Sequence, residues 1–550
     1  MLSSAHDEPE RIAEMRSAQD KRARIALLGV VLVTVALAWP DVRQGFSLHY
    51  DEAVHLVTAH ALARGHGYVD ESLPGAPPHR KYPPLLSLLL APFWRLSARF
   101  PDNLWVMRLF MLAASLLGLT VSYRYLTDGE RSSPALALAT VAAVAWGGLF
   151  LTFATLLSSE MIYFLLSMAS LLAYARFEAN GRRRWLLGAV GAAALAAATR
   201  TLGLALLGAL FLHLAWRRRL WAALATLGAA LCVSVPWQIW GWVAQRPYRT
   251  YPPEVANNYV GYLEQLVLHR WFERLPSMLV TNVRSLVDAW GFLVLPWVPV
   301  LLGGDVAWSV LAGLMVLAIL VWRSVRIARQ GLALADLYVA AYLAFVVLWP
   351  WPFGERFLVV IAPLLVFAAF STLDGLIERR AGASRPWRMV RHLGLALLVA
   401  GILMTTLGQI WLRWSVSDRF AELRENFQQM LTWVDRQTPP DAVLVGAFDP
   451  LYYLMTGRRS VRLAYPDPFA IYYTGVQRDD FPEAARLLAW YRQVGACWVV
   501  QEPMITEPGQ ITYYYALIRA LRAASDHALE EVYRAGNGWF AIYRIRDCPA

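Results

Sequence analysis

Residues 21–40 read Lys21-Arg22-Ala23-Arg24-Ile25-Ala26-Leu27-Leu28-Gly29-Val30-Val31-Leu32-Val33-Thr34-Val35-Ala36-Leu37-Ala38-Trp39-Pro40, and this stretch decides the fold class. After Arg24 no charge appears until Asp41. Such a run suits hydrocarbon, where every backbone N–H and C=O must be satisfied within the segment and a spanning helix takes about 20 mostly apolar residues. The run ends in Trp39-Pro40-Asp41 with no small-residue cleavage pattern. It therefore reads as an uncleaved first span behind a leader of residues 1–24, and not as a signal peptide.

The same pattern recurs as far as Trp411. The 550 residues are 57% hydrophobic and only 17% charged, with a mean hydropathy of +0.40, which argues against a water-soluble globule of this length. A net charge of +11 could indicate nucleic acid, but the basic residues fall in short clusters between apolar runs. Examples are Arg182/Arg183/Arg184, Arg217/Arg218/Arg219 and Arg323/Arg326/Arg329, a topology signal and no nucleic-acid footprint. Placing all such clusters inside gives spans near 25–40, 104–126, 134–153, 158–175, 186–199, 202–216, 220–240, 306–322, 336–351, 357–372 and 393–411. The expectation is an α-helical polytopic membrane protein of about eleven spans, N-terminus inside and C-terminus outside, with a C-terminal soluble α/β domain. Residues 291–303 could add a short or re-entrant segment.

Polar exceptions gather on the exterior side. The loop 41–103 is too long for a mere connection. Within it, residues 49–63 read as a helix stopped by Gly65 and Gly67, with Asp51 and Glu52 at its start. Carboxylates there either cap the helix dipole or do chemistry. His79-Arg80-Lys81-Tyr82-Pro83-Pro84-Leu85 then leads into an apolar helix along the membrane surface, where Arg80 and Lys81 either anchor at headgroups or bind a phosphate. Glu160 opens the fourth span at its exterior end. Arg200 sits at the exterior junction of the fifth and sixth spans, against the positive-inside pattern. Glu355 and Arg356 open the tenth. A second exterior stretch, 241–290, carries Tyr248, Tyr251, Asn257, Asn258, Tyr259 and Tyr262, which suit either sugar contacts or a membrane interface.

At these residues the chain resembles the membrane-embedded glycosyltransferases of the C superfamily, in the branch of the protein O-mannosyltransferases and lipid A aminoarabinose transferases. Asp51-Glu52 matches the acidic pair after the first span, and His55 completes the Asp-Glu-x-x-His form. Lys81-Tyr82-Pro83-Pro84-Leu85 looks like the Lys-Pro-Pro-Leu element with one residue inserted. Glu160 looks like the second acidic position, Thr199-Arg200-Thr201-Leu202-Gly203 like a Thr-Arg-x-x-Gly element, and Arg356-Phe357-Leu358 like a late Arg-Phe-Leu segment. The resemblance covers about residues 30–410 in order and spacing.

It implies a bacterial inner-membrane enzyme with a GT-C-like fold and a periplasmic C-terminal domain. The donor is a sugar on a polyprenyl phosphate, and the acceptor is a lipid, glycan or protein met at the exterior face. Inverting transfer needs a carboxylate to take the acceptor's proton and cations for the departing phosphate. Asp51 is then the base, with Glu52 and Glu160 orienting acceptor or sugar. Arg200, Arg356, Lys81 and Arg80 hold the phosphate, and His55, Glu355 and Tyr259 contact substrate. No metal-ligand spacing or cofactor motif is present, although carboxylates around Asp51 could recruit a divalent cation.

From residue 412 the composition turns soluble. Strands at 442–447, 460–464 and 497–501 alternate with amphipathic helices at 420–436, 450–456, 481–494 and 511–524, and a hairpin follows at 531–545. This domain either positions the acceptor or caps the site, with Asp449, Tyr452, Tyr453 and Arg458 as its polar and aromatic candidates. A disulfide between Cys497 and Cys548 is allowed but not fixed by the sequence. The rival functions are a transporter or flippase, which would place its polar site near the midplane, and a non-catalytic membrane scaffold.

Overall fold

A computed structural model describes residues 7–43, 49–97, 99–256, 259, 271–302, 305–349, 351, 354–381, 385–415, 417–464, 473, 481–503, 508–524, 528–536 and 538–548. The first helix, α1, runs over Asp7–Arg43 and carries Pro40 within it. Two further helices follow, α2 (Tyr50–Ala63) and α3 (Leu85–Leu96). The bundle continues with α4 (Leu104–Arg124), α5 (Pro134–Ala145), α6 (Gly148–Ala154), α7 (Ser159–Asn180), α8 (Arg183–Thr199), α9 (Gly203–Trp216) and α10 (Leu220–Ala244). Beyond it come α11 (Trp271–Val294), α12 (Asp305–Gln330), α13 (Leu334–Val347), α14 (Ala362–Ala381) and α15 (Arg385–Ser415).

Among the described residues seven helices are long and apolar enough to cross a membrane, or eight if α5 and α6, bent by 67°, form one broken span. The chain is thus a multi-pass membrane protein. The other three segments expected as spans form α8, α9 and α13, of 17, 14 and 14 residues. At about 1.5 Å per residue a 14-residue helix covers only about 21 Å of a hydrocarbon layer about 30 Å thick.

The stretch 241–290, expected as an exterior loop, is helical in its second half, where α11 begins, and α11 runs on to Val294. Met278, Asn282, Leu286, Ala289 and Trp290 are buried at helical spacing, while the charged residues Arg274, Arg284 and Asp288 interrupt the run and give it the look of a loop.

The soluble domain begins with α16 (Ser417–Gln437) and alternates β1 (Val443–Gly446), α17 (Asp449–Thr456), β2 (Arg459–Arg462), α18 (Ala484–Gln493), β3 (Ala496–Gln501), α19 (Pro508–Ala523), β4 (Leu529–Arg534) and β5 (Ala541–Ile545). The sheet order is β2-β1-β3-β5-β4, with β1 parallel to both its neighbours and β5 antiparallel to β3 and β4. β2 lies at the edge, and there the Ser460 N–H donates to the Ser72 carbonyl, in the segment between α2 and α3, at 2.7 Å. Sheet and membrane part are thus joined by a backbone hydrogen bond.

Cys497 on β3 and Cys548 just after β5 form a disulfide with Cα atoms 5.8 Å apart. Their strands are neighbours, and the bond closes a loop spanning 51 residues. Cys497→Ser is expected to cost the soluble domain about 2–4 kcal/mol. Thermal unfolding followed by protease cleavage should show earlier cutting in 417–548 with the helices before residue 415 unaffected.

Candidate active site

The centre is built from the ends of elements far apart in sequence. Asp51 lies in the first turn of α2, where the positive end of the helix dipole favours a carboxylate. Glu160 lies in the first turn of α7 and is fully buried. Arg356, on the short helix Gly354–Leu358, joins them: its Nη2 donates to Asp51 Oδ2 at 2.6 Å and its Nε to Glu160 Oε1 at 2.5 Å. Arg200 places Nη1 on the same Glu160 oxygen at 2.5 Å and on Ser159 Oγ at 3.1 Å.

Gly203 explains how Arg200 is held. The turn after α8 closes through the Gly203 N–H on the Arg200 carbonyl at 2.8 Å. A Cβ at position 203 would lie 2.4 Å from the Ala197 nitrogen, so a side chain there would push α9 off the end of α8. The Thr-Arg-x-x-Gly spacing is thus a packing requirement that delivers the guanidinium to Glu160.

Tyr82 supplies a contact that the sequence did not suggest. Its hydroxyl donates to Asp51 Oδ1, and its ring stacks on His79 with centroids 5.8 Å apart. Tyr82 is the residue inserted into the Lys-Pro-Pro-Leu element, so the departure from the family pattern is what brings a hydroxyl to the carboxylate. Lys81 lies over the rings of Tyr50 at 5.0 Å and Tyr82 at 5.2 Å. Burial lowers its amine to about 8, while Asp51 pulls the other way. Burial likewise works against charge on Asp51, yet Arg356, Lys81 and the Tyr82 hydroxyl hold its carboxyl well below the usual range. Asp51 is ionised at neutral pH.

The other expected residues fall elsewhere. Glu52 is buried outside this group: its Oε1 accepts from the Leu157 N–H at 3.3 Å and faces Arg108 Nη2 at 3.7 Å. Consecutive helical residues point about 100° apart, so Asp51 and Glu52 serve different surroundings. His55 packs on the Tyr82 ring at 4.8 Å and reaches Ser87 at 3.5 Å, and burial pushes its imidazole down to about 3, so it is neutral. Arg80 is buried with its guanidinium 6.0 Å from the Tyr248 ring. Glu355 is exposed and takes no part in the cluster around Arg356. Asn257, Asn258 and Tyr262 lie outside the described residues.

Tyr259 belongs to a seam with the soluble domain. Its hydroxyl donates to Asp449 Oδ2 at 2.9 Å and accepts from the Arg462 N–H at 2.9 Å. The Arg462 guanidinium lies 3.8 Å over the Tyr50 ring, next to Asp51 in sequence. Tyr453 donates to Glu71 at 3.4 Å, Tyr452 is buried on Glu502, and Arg458 pairs with Asp435. Among the described residues no group of three or more His, Cys, Asp or Glu side chains is arranged to hold a metal ion.

Two spaces adjoin the cluster. A narrow one is walled by Tyr82, Ser159, Arg200, Thr201 and Arg356. Beside it, sharing Pro83 and Thr201, lies an apolar cavity of about 500 Å³ between α10 and the α8–α9 turn, lined also by Leu204, Cys232 and Trp237. A charged cluster thus opens beside a space suited to hydrocarbon.

No family profile matches the chain, and no curated protein sequence matches it. Solved structures do. ArnT from Cupriavidus metallidurans, the lipid A aminoarabinose transferase, superposes with a TM-score of 0.52 at 15% identity over 94% of this chain and 97% of its own. The same protein bound to undecaprenyl phosphate gives 0.52 at 15% identity over 96% and 98%. The oligosaccharyltransferase AglB from Archaeoglobus fulgidus, in complex with an inhibitory peptide and a dolichol-phosphate, gives 0.54 at 14% identity over 96% of this chain and 75% of its own. The chain has the fold of the C-superfamily membrane glycosyltransferases.

Asp449 gives the seam a pH dependence. It is fully buried, and burial raises its carboxyl from 3.8 to about 7, with Arg462 opposing. A raised acid favours the folded state below its unfolded value, and that stability is lost as pH climbs through the folded one. From about pH 5 to about pH 8 the thermal midpoint should fall, with a loss on the order of 2–3 kcal/mol. Asp449→Asn should flatten the curve, and an unchanged slope would remove Asp449 as its source.

Proposed function

We propose that this chain is an integral-membrane glycosyltransferase that moves a sugar from a polyprenyl-phosphate donor to an acceptor at the exterior membrane face, with inversion at the anomeric carbon. The observation that carries this reading is the Asp51–Arg356–Glu160–Arg200 cluster beside the 500 Å³ apolar cavity. A lipid phosphate needs cations for its head and an apolar space for its tail, and here the two adjoin. Undecaprenyl phosphate on ArnT and dolichol-phosphate on AglB, which share this fold, support the same donor class.

In the proposed reaction an acceptor hydroxyl attacks the anomeric carbon and gives its proton to Asp51. The bond from that carbon to the phosphate oxygen breaks, and its electron pair leaves with the polyprenyl phosphate. Arg200, Arg356 and Lys81 stabilise that departing charge. Glu160 holds both arginines in place, and Glu52 fixes the angle of α2 through Leu157 and Arg108. The soluble domain covers the exterior side through Asp449, Tyr259 and Arg462, consistent with a role in admitting the acceptor. Its disulfide suits an oxidising exterior compartment such as the bacterial periplasm.

Asp51→Asn keeps the shape and removes the base. Transfer of radiolabelled sugar from a panel of polyprenyl-phosphate sugars should fall about 10²–10⁴-fold at equal folded protein. Transfer by the variant at the wild-type rate would exclude Asp51 from the chemistry, and release of intact donor across the membrane without transfer would favour a flippase.

The cavity can be tested without knowing the sugar. Cys232 lines it and is the one cysteine outside the disulfide. Polyprenyl phosphate should slow maleimide labelling of Cys232 severalfold, and a polyprenol lacking the phosphate should protect less. Equal labelling with and without the lipid would place the tail elsewhere.

A further inference from the structure

At the end of the bundle remote from the active site, two turns stand side by side. One joins α7 to α8 and carries Arg182, Arg183 and Arg184; the other joins α9 to α10 and carries Arg217, Arg218 and Arg219. All six arginines are exposed. The turns are fastened together: Arg219 lies 4.7 Å over the Phe177 ring, and Glu178 Oε1 accepts from Tyr174 at 3.3 Å and meets both His213 and Arg217 at 3.7 Å. Arg176 and Arg184 stack on Trp185 at 5.0 and 5.5 Å.

Inward-facing topology alone accounts for basic residues here, but other clusters at this end are neutralised. Arg323 and Arg326 pair with Glu130 and Asp336, Arg391 with Asp374, and Arg176 with Asp128. Among the described residues Arg182, Arg183, Arg184, Arg218 and Arg219 have no carboxylate within ion-pair distance. Apart from Arg217, which meets Glu178, the arginines of the two turns therefore present positive charge with no carboxylate partner among the described residues. Immediately beside them the surface is apolar, with Trp216 and Trp221 78% and 86% exposed and Leu187, Leu212 and Leu220 open as well. Guanidinium groups bind phosphate in paired hydrogen bonds, and tryptophans next to them mark headgroup depth.

We infer that the α7–α8 and α9–α10 turns form a binding site for an anionic phospholipid carrying two phosphates, one phosphate on each arginine turn and the acyl chains along the Leu187, Leu212 and Trp221 surface. A single headgroup spanning both turns clamps α7, α8 and α9 at one end, and the opposite ends of α7 and α8 carry Glu160 and Arg200. The site does not depend on the proposed glycosyl transfer.

The test uses the purified full chain in neutral detergent, titrated with diphosphatidylglycerol or with phosphatidylglycerol at equal phosphate, with bound lipid counted by native mass spectrometry. The wild type is expected to retain the two-phosphate lipid at least tenfold more tightly. Arg183→Gln combined with Arg218→Gln is expected to abolish that preference. Arg326→Gln, which removes a charge from an ion-paired cluster, is expected to change it less than twofold. Equal retention of the two lipids by the wild type would overturn the proposal whether or not the variants fold. So would a loss with Arg326→Gln as large as that of the paired substitution, since the attraction would then be one of overall charge.

Discussion

The Arg356 guanidinium between Asp51 and Glu160 is the contact on which the rest of the cluster depends. It ties the start of α2, the start of α7 and the segment before α14, and through Glu160 it reaches Arg200 at the end of α8. A carboxylate as deeply buried as Glu160 is costly to ionise alone, and two guanidinium groups on one oxygen offset that cost. The converse follows. Removing Arg356 leaves two carboxylates without their shared cation, so the pairing is a folding constraint and, in the proposed reaction, a means of holding cations where a phosphate can meet them.

Around that link the structure relies on specific polar contacts, because lipid offers the helices little hydrophobic reason to associate. Tyr163 and Tyr338 share a hydrogen bond of 2.8 Å within the bundle, and Tyr342 donates to the Phe357 carbonyl at 2.9 Å, next to Arg356. Above them, Asp70 accepts from Tyr248 and pairs with His79, whose Nε2 accepts from the Tyr82 N–H at 3.0 Å. The ring that touches Asp51 is therefore placed by a chain of contacts that begins near α10. The C-terminal domain extends the chain through Asp449 and Arg462, so the segment around Asp51 and Tyr82 is held by both the helical bundle and the sheet domain.

Much of this was legible in the residues. Charge clusters and apolar runs locate the helices, and ordered motifs pick out Asp51, Lys81, Glu160, Arg200 and Arg356, which the fold brings to one place. The soluble domain's strands were readable because short β-branched runs alternate with amphipathic helices. What escaped has physical causes. Periodicity says that α5 and α6 are apolar, but the bend between them depends on packing. Charges hid the buried face of α11. Neighbouring carboxylates in sequence suggested joint work for Asp51 and Glu52, whereas a helix sends them to different partners. Arg108 gave no signal, since only the folded chain brings it to Glu52. Tyr82 looked like an interruption of a motif.

The resting state also constrains how the proposed chemistry can begin. A carboxylate held far below its usual pKa by a guanidinium and a phenol is a poor proton acceptor, so Asp51 is not poised as a base while Arg356 remains on it. A donor phosphate supplies what changes this. If Arg356 turns toward the phosphate, Asp51 loses its strongest charged partner, and its basicity rises only when the leaving group is in place. Glu160 keeps its second guanidinium through Arg200, so that carboxylate stays paired during the exchange. The two acids thus have separate tasks for a structural reason: one can be released by the substrate, and the other stays held by a residue from a different helix. In the proposed reaction, the ion pair between Arg356 and Asp51 thus keeps the base inactive until donor binding makes it useful.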